Sequence, residues 1–209
     1  MHGTACPFHP RPVRQRSVVA RRSSVVVLRA KQRGQIIPMT AIILPVLLAF
    51  TLMVVEVSER WLEVAMVEDA LQAATRSAVQ SLDYAAFARG ETGLRATAPC
   101  THQTVAQSTG GPCAAVIAVA DRFFRSNLRG VRGLVGDSAE TAIAAAASQV
   151  EWTVLPAGGS CTYRSGRSVS TDPTPLICAE VHPTMQGVVG WGHFTPTIVA
   201  ADRLDPVTR

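Results

Sequence analysis

Cys100, Cys113, Cys161 and Cys178 are the side chains whose type and spacing most directly permit covalent chemistry. An even set of thiols in a compartment that oxidises them reads as a disulfide framework. Three pairings are open. The local pairs, Cys100 with Cys113 and Cys161 with Cys178, close loops across Gly/Pro/Ser-rich stretches and are favoured; each contributes about 3 kcal/mol in the chain-entropy model. A zinc site needs close-set ligand pairs such as C-x-x-C, which this spacing lacks, so neither metal nor cofactor is expected.

Hydrolytic chemistry finds less support. His182, ahead of Pro183, and His193, in the turn Gly190-Trp191-Gly192-His193-Phe194, are the candidate bases. Catalysis also requires a positioned nucleophile and an orienting acid, and the chain has no G-x-S-x-G or C-x-x-C to hold one. Asp137-Ser138 begins like an adhesion-type metal motif, Asp-x-Ser-x-Ser, and then breaks it with Ala139 and Thr141. These residues read as solvent-facing turns, and the expectation is a noncatalytic protein without a small-molecule substrate.

The elements that must position such groups begin with an uncharged run, Ile36 to Val55. Its length, at about 1.5 Å per residue, matches the roughly 30 Å hydrocarbon core of a bilayer. Arg11, Arg14, Arg16, Arg21, Arg22, Arg29, Lys31 and Arg33 precede the run with no acid among them, whereas every Asp and Glu follows it. The positive-inside bias therefore predicts a single-pass protein of a bacterial cytoplasmic membrane, N-terminus inside and residues beyond about 56 outside. No A-x-A cleavage site follows, so a retained signal anchor is expected. The pI near 9.3 then reports topology, and no nucleic-acid partner is implied. Four segments result: a basic, disordered cytoplasmic head, 1–35; a transmembrane helix, 36–55; an exported continuation of that helix, 56–89; and a small exported domain, 90–209. Four of the five cysteines fall on the oxidising side, and Cys6 stays alone in the head.

Glu56 to Ala88 contains neither Pro nor Gly, so helix should persist to about Phe87, giving about fifty residues and roughly 75 Å. Arg89-Gly90 supplies its C-terminal cap, and Pro45 should bend it. Trp61, Val64, Leu71, Ala74, Ala78 and Leu82 make an apolar stripe along the exported part. Glu56 ends the apolar run. It is either a boundary residue at the membrane interface or a carboxylate that pairs with a neighbouring subunit, since a charge beside lipid is costly unless hydrated or paired. Glu56, Trp61, Val64, Leu71, Ala74 and Leu82 are thus the candidate subunit contacts.

Residues 90–113 read as loop. Helix is predicted from Ala114 to Leu128, with Phe123 and Phe124 on its apolar side; Thr141–Ala147 reads as a short helix capped by Asp137 and Glu140 or, alternatively, as a strand. Alternation at 150–154 and 177–182, and a short run at 197–201, predict a sheet of three or four antiparallel strands. The fold class is α+β: a long N-terminal transmembrane helix carries a small exported domain.

Arg33-Gly34-Gln35, Leu44-Pro45-Val46-Leu47-Leu48, Glu56 and Asp69-Ala70-Leu71-Gln72-Ala73-Ala74 together resemble the N-terminal region of TadE/TadG-like proteins of tight-adherence (Flp) pilus systems. The resemblance covers about residues 33–88. Gly34 is followed by Met39 where a prepilin cleavage site carries Glu, so the short, anchor-only TadG-like type is the closer match. The resemblance implies a membrane-anchored minor pseudopilin or pilus-assembly component whose partners are the bilayer and other pilus or secretion-system subunits. The alternative is an unrelated bitopic envelope protein with an exported ligand- or wall-binding domain.

Overall fold

A computed structural model describes residues 36–89, 93–171, 174–187, 190 and 192–204. The basic head, Gly34, the capping Gly90 and Trp191 lie outside the described residues. The chain divides into two compact units, 1–47 and 48–209, so residues 56–89 belong with the C-terminal domain. In the first unit the described residues are the opening turns of helix α1 (Ile36–Val79), with Pro45 inside the helix. Ile42, Leu44 and Val46 are more than three-fifths exposed. From Met39 onward α1 is long and apolar enough to cross a membrane.

In the second unit α1 runs on from Leu48 and ends at Val79, eight residues short of the predicted stop. Helix propensity loses there to a non-local pairing. The Asp83 amide donates to the Gly93 carbonyl (3.0 Å) and the Arg95 amide to the Ser81 carbonyl (3.0 Å), around a bridge between Leu82 and Leu94. Burial of Leu94 accompanies the exchange. Ser81 and Asp83 readily take non-helical backbone. The Asp83 carboxylate accepts from the Ala85 amide (2.9 Å), opening the short helix α2 (Tyr84–Ala88).

The expected loop at 90–113 contains strand β1 (Cys100–Gln103) and helix α3 (Val105–Ser108), whose Thr104 and Gln107 form a capping box. Helix α4 (Ala114–Asn127) follows as predicted and tightens into a 3-10 turn at Leu128–Gly130. Phe124 is fully buried, whereas Phe123 is 44% exposed, against expectation. Helix α5 (Ala139–Ser148) is capped by Ser138 and Thr141 reciprocally, one residue on from the predicted Asp137–Glu140 pair. A serine hydroxyl meets the third amide directly.

Strands β2 (Glu151–Leu155), β5 (Leu176–Val181) and β8 (Ile198–Arg203) join β1 in one antiparallel sheet of order β1-β2-β5-β8. Two hairpins were not foreseen: β3 (Gly159–Thr162) with β4 (Ser168–Thr171), and β6 (Met185–Gln186) with β7 (His193–Phe194). On one sheet face Trp152, Val154, Ile177, Ala179 and Ala200 share a core with Val67, Leu71 and Ala74 of α1 and with Ile117, Ala120 and Phe124 of α4. Leu155, Leu176 and Cys178 on the other face cluster with Cys161 and Tyr163 of the β3–β4 hairpin. β5 is therefore buried on both faces, so its polar positions, expected to face water, do not.

Candidate functional site

A helix aligns residues three and four apart on one face, and α1 uses this periodicity to separate two surfaces. Glu56, Arg60, Glu63 and Val67 point into the domain. Arg60 Nε donates to the Glu56 carboxylate at 2.8 Å, with the Glu56 side chain 4% exposed. The Arg60 guanidinium also lies over the Phe194 ring, 5.0 Å from its centroid, a cation–π contact. Glu63 Oε2 accepts from the Arg132 and Gly133 amides at 3.0 and 3.2 Å. Gly187 packs so closely that a Cβ there would lie 1.7 Å from Glu56 Oε1. Only glycine fits.

This geometry redistributes the predicted contact residues. Glu56 is enclosed by its own domain. Leu71 and Ala74 are fully buried in the core, and Val64 is packed against it, so the apolar stripe is mostly covered by the sheet and α4. Leu82 is half-buried in the bridge to Leu94. Trp61, 74% exposed, remains available, with Leu62 and Val57 beside it on the uncovered side. Leu62 and Val57 went unnoticed because they fall off the stripe that the core uses.

Both favoured cysteine pairs form. Cys100 meets Cys113 with Cα atoms 6.4 Å apart, and Cys161 meets Cys178 at 6.6 Å, both inside the range a disulfide spans. The first ties β1 to the start of α4; the second fastens the β3–β4 hairpin to the central strand.

A polar network missed by sequence reasoning holds the tip of that hairpin. Glu151 and Glu180 are direct cross-strand partners on β2 and β5, and like charges so placed repel unless a cation intervenes. Arg164 is that cation: its amide donates to Glu180 at 2.6 Å and its Nε to Glu151. The Ser165 amide also donates to Glu180. His102 Nδ1 lies 3.2 Å from Glu151 and His182 Nε2 3.3 Å from Glu180. Burial alone raises the Glu151 carboxyl, and the hydrogen bonds and charges of Arg164 and His102 outweigh it, leaving the group below its ordinary value. Burial raises the Tyr163 phenol, whose hydroxyl donates to the Ala200 carbonyl at 3.0 Å. His102 takes a left-handed backbone (φ 50°) at an irregularity in β1. The two glutamates at alternating strand positions were the available signal; the hairpin lid that buries Glu180 has no local mark.

His182 thus belongs to a structural network, while His193 is exposed in β7. Among the described residues no group of three or more His, Cys, Asp or Glu side chains is arranged to hold a metal. No protein-family model, curated protein or solved structure matches this chain.

Proposed function

We propose that the chain is a noncatalytic minor pseudopilin or pilus-assembly component of a Tad/Flp-type pilus or secretion system. It is a single-pass protein of the bacterial cytoplasmic membrane, N-terminus inside and α+β domain outside. One observation carries this reading: among the described residues α1 begins as an apolar helix with its side chains exposed and, from Val67 on, becomes the spine of an α+β domain. Apolar side chains that no protein covers need lipid or other helices around them. The charge step across the run supports the orientation, two cysteine pairs suit an oxidising compartment, and the TadE/TadG-like pattern at 33–88 supports the pilus assignment.

The association surface is the uncovered side of α1 around Trp61 and Leu62, where a neighbouring helix could lie without displacing the core. Two measurements test the proposal. Alkaline phosphatase fused after residue 120 is expected to be active and a cytoplasmic-only reporter there dark; the reverse overturns the orientation. Trp61→Ser with Leu62→Ser should reduce co-purification of pilus components and piliation at normal protein level. Unchanged assembly would favour a solitary envelope anchor instead.

A further inference from the structure

Helix α4 turns Val116, Ile117, Ala120 and Phe124 into the core. That leaves Arg122 and Arg125, with Arg129 of the following 3-10 turn, three and four residues apart on another face. Together with Ala139, Glu140 and Ile143 of α5 they line a groove of about 570 Å³. Arg125 is committed to Asp121 at 2.7 Å. Arg122 and Arg129 are exposed and make no ion pair among the described residues. The groove thus offers two uncommitted guanidiniums beside a partly apolar wall. It suits a helix that presents carboxylates among small or apolar side chains.

Helix α1 has such a side. Trp61, Leu62, Ala65, Glu68 and Asp69 are all exposed, with Trp61, Ala65 and Asp69 at steps of four along one stripe. Asp69 makes no ion pair among the described residues, and Glu68 accepts from the Gln72 side-chain amide at 3.4 Å. Arg76, the next charge along, is held by Asp202.

The two surfaces stand at the same level. A Cβ on Gly130 would lie 3.3 Å from the Met66 methyl, and one on Gly133 would lie 3.3 Å from Glu63 Cγ, so α4 ends beside Met66. It starts near the far end of α1, where the Thr97 amide donates to the Pro112 carbonyl at 3.1 Å and Leu94 bridges to Leu82. The helices therefore run in opposite senses. By helical rise Asp69 is about 4.5 Å beyond Met66, and Arg122 about 10 Å from Arg129. Asp69 thus falls within the span of the arginines. In copies anchored side by side in one bilayer, a level on one faces the same level on the next.

We propose that the occupant of the α4–α5 groove is a second copy of this chain, Glu68 and Asp69 of one copy's α1 meeting Arg122 and Arg129 of the next. Because the two surfaces differ, each copy carries both halves of the contact. The inference rests on the reading that α1 crosses the bilayer with an associating uncovered side, and it names what that side meets. The test reconstitutes the full chain in phosphatidylcholine vesicles as a mixture of N-terminal donor and acceptor fluorescent fusions, and follows energy transfer against the protein-to-lipid ratio. Wild type should transfer well above the level of random proximity, and about 0.5 M salt should lower it. Arg122→Glu with Arg129→Glu, and separately Glu68→Arg with Asp69→Arg, should each weaken association about tenfold with unchanged thermal unfolding. Donor on one double variant and acceptor on the other should restore transfer, because each reversed surface then meets its opposite sign. Random transfer in wild type, double variants that still associate, or a mixture that fails to recover overturns the second copy as the occupant. If Trp61→Ser with Leu62→Ser still reduces co-purification of pilus components in that case, the association surface stands without this groove. Loss of the protein from vesicles in alkaline carbonate overturns instead the membrane reading beneath both.

Discussion

Ile42 and Leu71 are aliphatic residues of the same helix, yet the first is 68% exposed and the second fully buried. Around Ile42 the helix is apolar on every side, so no single face is marked for a protein partner. Around Leu71 the apolar positions Val67, Ala70, Leu71, Ala74 and Ala78 fall on one face and the charged Glu68, Asp69 and Arg76 elsewhere. The arrangement of the polar residues between them, more than apolar content, decides whether a helix enters a core or faces lipid.

The sharpest way to break that comparison is to put the same charge into both regions. Leu71→Asp should cost about 4–5 kcal/mol or more and unfold the domain, read as a lost denaturant transition in solubilised protein that still sediments with membranes. Ile42→Asp should leave domain unfolding unchanged and lower insertion, at a cost of about 3 kcal/mol. Identical effects from the two substitutions would erase the distinction between the regions.

Covalent ties come next. Replacing Cys161 and Cys178 together by Ala should lower stability by about 3 kcal/mol and expose the β3–β4 hairpin to protease, and non-reducing mass spectrometry of wild type should show neither thiol free. Where the helix passes from one regime to the other, Gly187→Ala should cost about 1–3 kcal/mol through its clash with Glu56. Glu56→Ala in the same chain should restore part of it, a coupling that a double-mutant cycle measures. Additive losses would mean that Gly187 and Glu56 do not touch.

The smallest effect expected is electrostatic. The folded-state pKa of Glu151 is lowered, so the stability it contributes is complete above its unfolded value, near 4.5, and fades as pH falls through the lowered folded value. Arg164→Gln should lower the urea midpoint at pH 7 by a small amount that shrinks toward pH 3, so that the fall between pH 5 and 3 flattens by that same amount. A steeper acid limb in the variant would contradict the pairing.

The amino-acid sequence by itself determined the features that depend on neighbours within a few turns or strands. The uncharged run, the bounds of α4 and the strands around Trp152 and Ile177 follow from period and composition, while short loop closure favours the local cysteine pairs and leaves the choice among three pairings to the fold. Tertiary structure alone decided which apolar stripe is covered, where α1 ends and what becomes of alternating polar residues. Val79 ends the helix because Leu94, which lies outside it, pairs with Leu82. Glu180 is buried because a hairpin folds over a strand whose alternation reads as half-exposed. Leu71 and Ala74 belong to the core because α4 and the sheet reach them. Each outcome turns on a contact with a segment outside the element itself, and local periodicity carries no record of which segment will arrive.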